Sequence, residues 1–319
     1  MNKKAKKHAH IEPDWSVSET VEAILLHNLK YLEEWEEAAH NWSDIEGVHQ
    51  VRVTFRRMRS ALNTFRMAIP RKVSREWSDK MRDLVSRLGP ARDLDVFIDE
   101  GLGSVGDLLN LPGGDNLEKI AKKARSRAYK DVVSMLGSAD YARFKKDFRV
   151  WCENREWERA ELKNKQRKLL EGGTAPFARK VLDCQERRVL EAGAHVDKHD
   201  TKAMHKLRIE CKKLRYGAEF FAPVFAGMDG FIGHMKGLQD LLGVMNDVSV
   251  MRELLDQILE GVNDAETLQY AGGIVGWRTC EYHNLLNGFE QRWEEFVEAK
   301  HPWWKKSAQA PEEVTPTAA

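Results

Sequence analysis

Two stretches of the 319-residue chain repeat one arrangement of basic side chains. His49, Arg52, Arg56 and Arg59 are spaced by three or four residues, and so are His205, Arg208, Lys212 and Arg215. On a helix turning roughly 100° per residue, the first set falls within an arc of about 80°, and the second repeats its phase. An arginine fork engages two oxygens at once, and a lysine adds a compact charge. A histidine gains a proton near an unperturbed pKa of about 6.5 and then donates from both ring nitrogens. Such a row can bind an oxygen-rich anion. At roughly 1.5 Å of rise per residue each row runs about 15 Å, a length that suits several successive phosphates better than one small metabolite.

The rows flank the core-facing side of their helices. Val51, Phe55, Met58, Leu62 and Phe65 fill the neighbouring arc of the first, and Leu207, Cys211, Leu214 and Phe221 that of the second. A basic stripe beside an apolar stripe points into a groove between helices, whereas a solvated face lies opposite the core and mixes signs. From Gly47 to Arg75 there are eight Lys or Arg and no Asp or Glu. Like charges at i,i+3 and i,i+4 repel by a few tenths of a kcal/mol per pair, so this helix is suited to receive an anion. A single histidine with an arginine three residues on is a common solvated pattern. Its recurrence, each time followed by two adjacent basic residues and a further arginine, is not. Arg57 and Lys213 complete those adjacent pairs and stand about 80° from the histidine on the other side, a position at the rim of the groove or in water. Arg188, in phase with Val181 and Cys184, is a further candidate.

Helical periodicity dominates the chain and nothing alternates with period two. Helices are expected near 16–40, 48–68, 72–88, 93–102, 116–137, 139–170, 176–193, 200–223, 228–242, 246–262 and 264–299. The breakers between them are Pro70, Gly89-Pro90, Pro112-Gly113-Gly114, Gly172-Gly173 and Gly261. The sequence around Val48–Arg59 recurs at an offset of 156 residues as Met204–Arg215, and Leu88-Gly89 with Asp93 recurs at 154 as Leu242-Gly243 with Asp247. An internal repeat follows. The expected fold is all-α: two pseudo-symmetric antiparallel helical bundles, 15–172 and 173–305, with a basic channel between them. Residues 1–14 and 306–319 read as disordered tails. Asp93 and Asp247 either cap the helices that follow their glycines or orient basic residues at the channel.

With these residues the chain resembles the conserved histidine α-helical domain, or CHAD, family. The resemblance rests on His49-Gln50-Val51-Arg52 through Arg59, the copies from His205 to Arg215, and the turn Leu88-Gly89-Pro90-Ala91-Arg92-Asp93-Leu94-Asp95-Val96. It covers roughly residues 15–300. It implies paired helical bundles around a basic channel that binds inorganic polyphosphate, with the eight stripe residues as ligands. Two departures stand out: Asn246 takes the place that Arg92 has in the first half, and Lys212-Lys213 replaces Arg56-Arg57. Some family members add a triphosphate-hydrolase barrel with an ExExK motif. This chain has neither the motif nor strands to hold it, so no attached enzyme is expected.

Bulk composition fits that reading. A net charge of +1 gives no general attraction to nucleic acid or membrane, and no apolar run of about 18 residues could span a bilayer. Cys152, Cys184, Cys211 and Cys280 are far apart and read as buried, reduced thiols. The basic start, Lys3 to Lys7, has no apolar stretch behind it and is no secretory signal. A cytoplasmic protein is expected, associated with polyphosphate granules. No catalytic set, metal site or cofactor motif is found. His27, His234 and His283 read as structural or exposed, and the dispersed tryptophans as core anchors. The alternatives are a nucleic-acid binder using the same stripes, and a phosphohydrolase or phosphotransferase with His49 or His205 as acceptor.

Overall fold

In the computed structural model, residues 8–12, 14–42, 44–103, 105 and 108–304 are described, except for the side chains of Met245, Asn246 and Asp247. The expected tail 306–319 lies outside the described residues, as do 1–7. The described residues contain no β-strand, and one isolated bridge pairs Ser16 with Gly173.

The helices are α1 (Val17–Asn41), α2 (Ile45–Thr64), α3 (Arg71–Arg87), α4 (Gly89–Val96), α5 (Gly114–Leu136), α6 (Ala139–Glu153), α7 (Asn164–Glu171), α8 (Thr174–Gly193), α9 (Thr201–Phe221), α10 (Met228–Ile258), α11 (Ala265–Leu286) and α12 (Phe289–Val297). A π-helical turn, Phe97–Leu102, prolongs α4. Local chemistry sets several starts. Ser16 and Glu19 form a reciprocal capping box on α1. Asp44 accepts from the Glu46 amide at the start of α2, and Asp200 from the Lys202 and Ala203 amides at the start of α9. The α1–α2 crossing requires glycine at 47, where a Cβ would stand 2.4 Å from the Ala39 nitrogen.

Several expected boundaries fall elsewhere: α2 begins at Ile45 rather than 48, and α4 at Gly89 rather than 93. The segment 139–170 divides after α6, where Arg155 adopts a left-handed φ of 45°, and the long C-terminal helix divides at Asn287-Gly288. In contrast, α10 runs without a break through Gly243. Gly89 is followed by Pro90, which starts a new helix well but cannot continue the hydrogen-bond ladder of an old one. Gly243 is followed by Val244, and glycine alone costs a helix interior only about 1 kcal/mol. Asp93 consequently lies within α4, whose start carries no side-chain cap, while the side chain of Asp247 is not described. Ala9 and Ile11 pack into the core, so ordered packing begins inside the expected N-terminal tail.

One large core crosses the expected boundary at 172/173. Phe65 stacks on Phe177 at 5.4 Å and meets Phe221 edge-on at 5.5 Å. Backbone bonds from Val17 to Gly172 and from Thr174 to Trp15 tie that junction to the start of α1. A smaller cluster packs the π-helical turn and α5 against α10 and α11 through Phe97, Leu117, Met251, Leu254 and Ile274. Cys152 and Cys211 are buried thiols with raised pKa values, as burial disfavours thiolate. Cys280 is exposed.

Asp95 anchors α4 to α5. It is 1% exposed and accepts from the Tyr129 hydroxyl at 2.6 Å, with Arg125 3.6 Å away. Burial raises its pKa, against the opposing pull of Tyr129. Replacing Tyr129 with Phe removes a donor from a buried carboxylate and is expected to cost about 1–3 kcal/mol in urea unfolding. An unchanged midpoint would show that Arg125 alone satisfies the group.

Candidate functional site

Helices α2 and α9 pack against each other, so folding brings the two basic rows to neighbouring surfaces. Beside their contact a cavity of about 490 Å³ opens. From α2 it is lined by His49, Arg52, Val53 and Arg56, and from α9 by Arg208 and Lys212. The α4 segment and its π-helical turn add Arg92, Asp93, Val96, Phe97 and Glu100. Arg278 and Glu281 come from α11, while α10 supplies Val244, Val248, Val250, Met251 and Leu254. Among the described lining residues six arginines and lysines thus face three carboxylates, an excess of positive charge before any on His49.

Arg52 is the most enclosed of these cations, 8% exposed. Its Nη1 donates to the Val85 carbonyl at 2.9 Å. That oxygen belongs to the last turn of α3, where carbonyls have no partner within their own helix. A Cβ at Gly89 would come within 3.0 Å of the same Nη1, so the helix-breaking glycine also leaves room for the guanidinium. Burial, then the nearby Arg56, push the pKa of Arg52 down to about 10, and Asp93 opposes them. The group stays charged at neutral pH, but in surroundings that an incoming anion would improve.

His49 is half-buried, and its pKa lies below the ordinary imidazole value. Burial is the main cause and Arg92 the next, with Glu46 opposing and Arg56 and Arg52 adding to the shift. The unfolded chain therefore takes up this proton before the folded one does. Stability that His49 confers at neutral pH is lost as pH falls from about 6.5 through the lower folded value. Comparing wild type with His49→Gln by thermal unfolding, the wild-type advantage should shrink between pH 7.5 and 5.5 as a direct consequence. An anion bound in the cavity should reverse the trend. A difference that does not vary with pH would show that His49 does not titrate there.

The remaining candidates stand outside the cavity lining. Arg57 and Arg215 both turn to Glu219, a carboxylate 5% exposed on α9. The Arg215 Nε also donates to Gln239 at 2.7 Å. Lys213 pairs with Glu210 at 2.6 Å. Arg59 is half-buried, with Arg82 and Asp79 among its charged neighbours. His205 is exposed, and Arg188 is half-buried away from the cavity. The carboxylate missing from the Gly47–Arg75 stretch is thus supplied to Arg57 from another helix.

Five charged lining residues, Arg92, Asp93, Glu100, Arg278 and Glu281, were not in the sequence-derived binding set. Arg92 sits in the quoted Gly-Pro turn, and Asp93 takes the channel position weighed for it rather than the cap. Arg278 left one signal: it is the sole Lys or Arg in the sequence of α11. Among the described residues no three His, Cys, Asp or Glu side chains gather to hold a metal ion. No described helix is long and apolar enough to cross a membrane.

Comparison with known proteins agrees with this architecture. An uncharacterized protein of Mycobacterium tuberculosis, from strains CDC 1551 and H37Rv, is 29% identical over 272 residues. The match covers 82% of this chain and 48% of the relative, so the chain spans about half the length of the curated relatives it matches. The crystal structure of the CHAD domain from the plant Ricinus communis superposes with a TM-score of 0.80 at 24% identity, covering 93% of this chain and 97% of that one. PptA from Streptomyces chartreusis superposes with a TM-score of 0.65 at 15% identity, over 88% of this chain and all of that one. The family model for the CHAD domain matches residues 23–256, which include α2, α4, α9 and most of α10, and the chain belongs to that family.

Proposed function

We propose that this protein binds inorganic polyphosphate in the cavity between α2 and α9 and does not cleave it, acting in the cytoplasm at polyphosphate granules. One observation carries the reading: cations from α2, α4, α9 and α11 converge on a single cavity. A polyphosphate segment offers a charge on each phosphate and oxygens on every side, which suits forks approaching from several helices. The three lining carboxylates temper the field without reversing it.

Titration with polyphosphate of defined length at several salt concentrations tests this. If all six cations neutralise a phosphate, log K should fall against log salt with a slope of about −4. A slope near zero would contradict the charge-based site. Efficient displacement by DNA at physiological salt would favour a nucleic-acid binder. Phosphate released during incubation, with or without divalent metal, would favour the phosphohydrolase alternative.

A further inference from the structure

Arg278 is the one arginine or lysine that lines the cavity from α11, and the protein itself already engages both ends of its fork. Nη1 donates to the Glu281 carboxylate at 2.8 Å, one turn further along the same helix, and Nη2 donates to the Glu100 carbonyl in the π-helical turn. Glu100 and Glu281 line the same cavity. The Arg278 side chain is 18% exposed and that of Glu281 44%. The backbone dipole therefore holds the guanidinium in place, and the carboxylate is the partner that can leave. Arginine followed by glutamate is the weaker order for a pair on one helix, and a pair this open to water is worth at most about a fivefold change in an equilibrium. Phosphate offers the same fork two oxygens at once. Arg278 and Glu281 both lie beyond the residues that the family model matches.

We propose that Glu281 is a built-in counter-ion of Arg278 that limits the affinity of the cavity: polyphosphate gains this cation by displacing the carboxylate, and binding moves Arg278 from Glu281 to phosphate. The proposal rests on the polyphosphate reading of the cavity and adds how one of its cations is controlled. A carboxylate tethered on the same helix acts at an effective concentration of about millimolar or higher, against which a free phosphate ion competes poorly. A chain already held by Arg56 and Lys212 presents its next phosphate under the same tethering. The exchange thus favours chains over single phosphate ions.

Calorimetric titration with polyphosphate of defined length, in the wild-type chain, Glu281→Gln, Arg278→Gln and the double variant, tests the exchange. Glutamine keeps the size of Glu281 and removes its charge at a position open to water. Glu281→Gln should bind about fivefold more tightly than wild type, the full worth of the displaced pair. Arg278→Gln should bind more weakly than wild type. With Arg278 already replaced, Glu281→Gln should have little further effect, because only the screened repulsion between Glu281 and phosphate is then relieved. Glu281→Gln binding no tighter than wild type, an equal gain with and without Arg278, or Arg278→Gln binding as well as wild type would each overturn the proposal. Failure of the wild-type chain to bind polyphosphate at all would instead overturn the reading of the cavity.

Discussion

Alanine at both Arg56 and Lys212 is expected to weaken polyphosphate binding by about a hundredfold or more, with an unchanged helical circular-dichroism spectrum. The two side chains approach the cavity from different helices, and neither is buried. A hydrogen bond to a charged partner contributes about 1.5–3 kcal/mol, and two such losses span roughly two to four decades. The salt slope should also fall by about 0.7 for each cation removed. Adding Arg52→Ala and Arg208→Ala should abolish binding altogether. Part of that further effect would be structural, because Arg52 also satisfies the Val85 carbonyl, so the double variant is the cleaner experiment. Wild-type affinity in the double variant would place the ligand elsewhere.

Glu219→Ala is expected to cost the most stability of any single charge substitution. The side chain is almost fully enclosed and holds Arg57 from α2 and Arg215 from its own helix. Without it two guanidinium groups, 19% and 25% exposed, are left among dipoles and rings. Those neighbours are Asn28 at 3.4 Å, Gln239 at 2.7 Å, and the rings of Tyr216 and Phe220 at 5.8 and 5.6 Å from Arg57. Removing one member of a buried ion network typically costs about 3–5 kcal/mol. Replacing all three residues together, Arg57→Met, Arg215→Met and Glu219→Leu, should be close to neutral, since no uncompensated charge is left. Urea unfolding of both variants checks this. A Glu219→Ala loss under about 1 kcal/mol would mean that water reaches the cations.

The same residues show what the sequence could and could not disclose. The phase of His49, Arg52 and Arg56 relative to Val51, Phe55 and Met58 located a groove beside the core, because helical phase depends on local spacing alone. Arg208 and Lys212 followed from the repeat. Arg57, Arg59, Lys213 and Arg215 have equally suitable spacing, but Glu219, Asp79 and Glu210 are among the acids near them in the fold. Two of those acids lie on α9 itself, yet which cation each one meets depends on rotamers and on the approach of α2. His205 matches His49 in sequence yet is exposed, since local matching does not fix what packs above a residue. Gly243 copies Gly89 but lacks the following proline, so α10 continues where the first half breaks. Helix ends set by caps were more legible. Ser16 and Asp200 cap helices at the expected starts, whereas Asp44 starts α2 three residues before the expected 48.

The most direct test is the structure of the protein in complex with a short polyphosphate. The account predicts phosphates in the cavity, with oxygens in hydrogen-bonding reach of Arg52 and Arg56 from α2 and of Arg208 and Lys212 from α9. Phosphates bound instead along the exposed lysines of α5 or α6, with the α2–α9 cavity holding none, would contradict it.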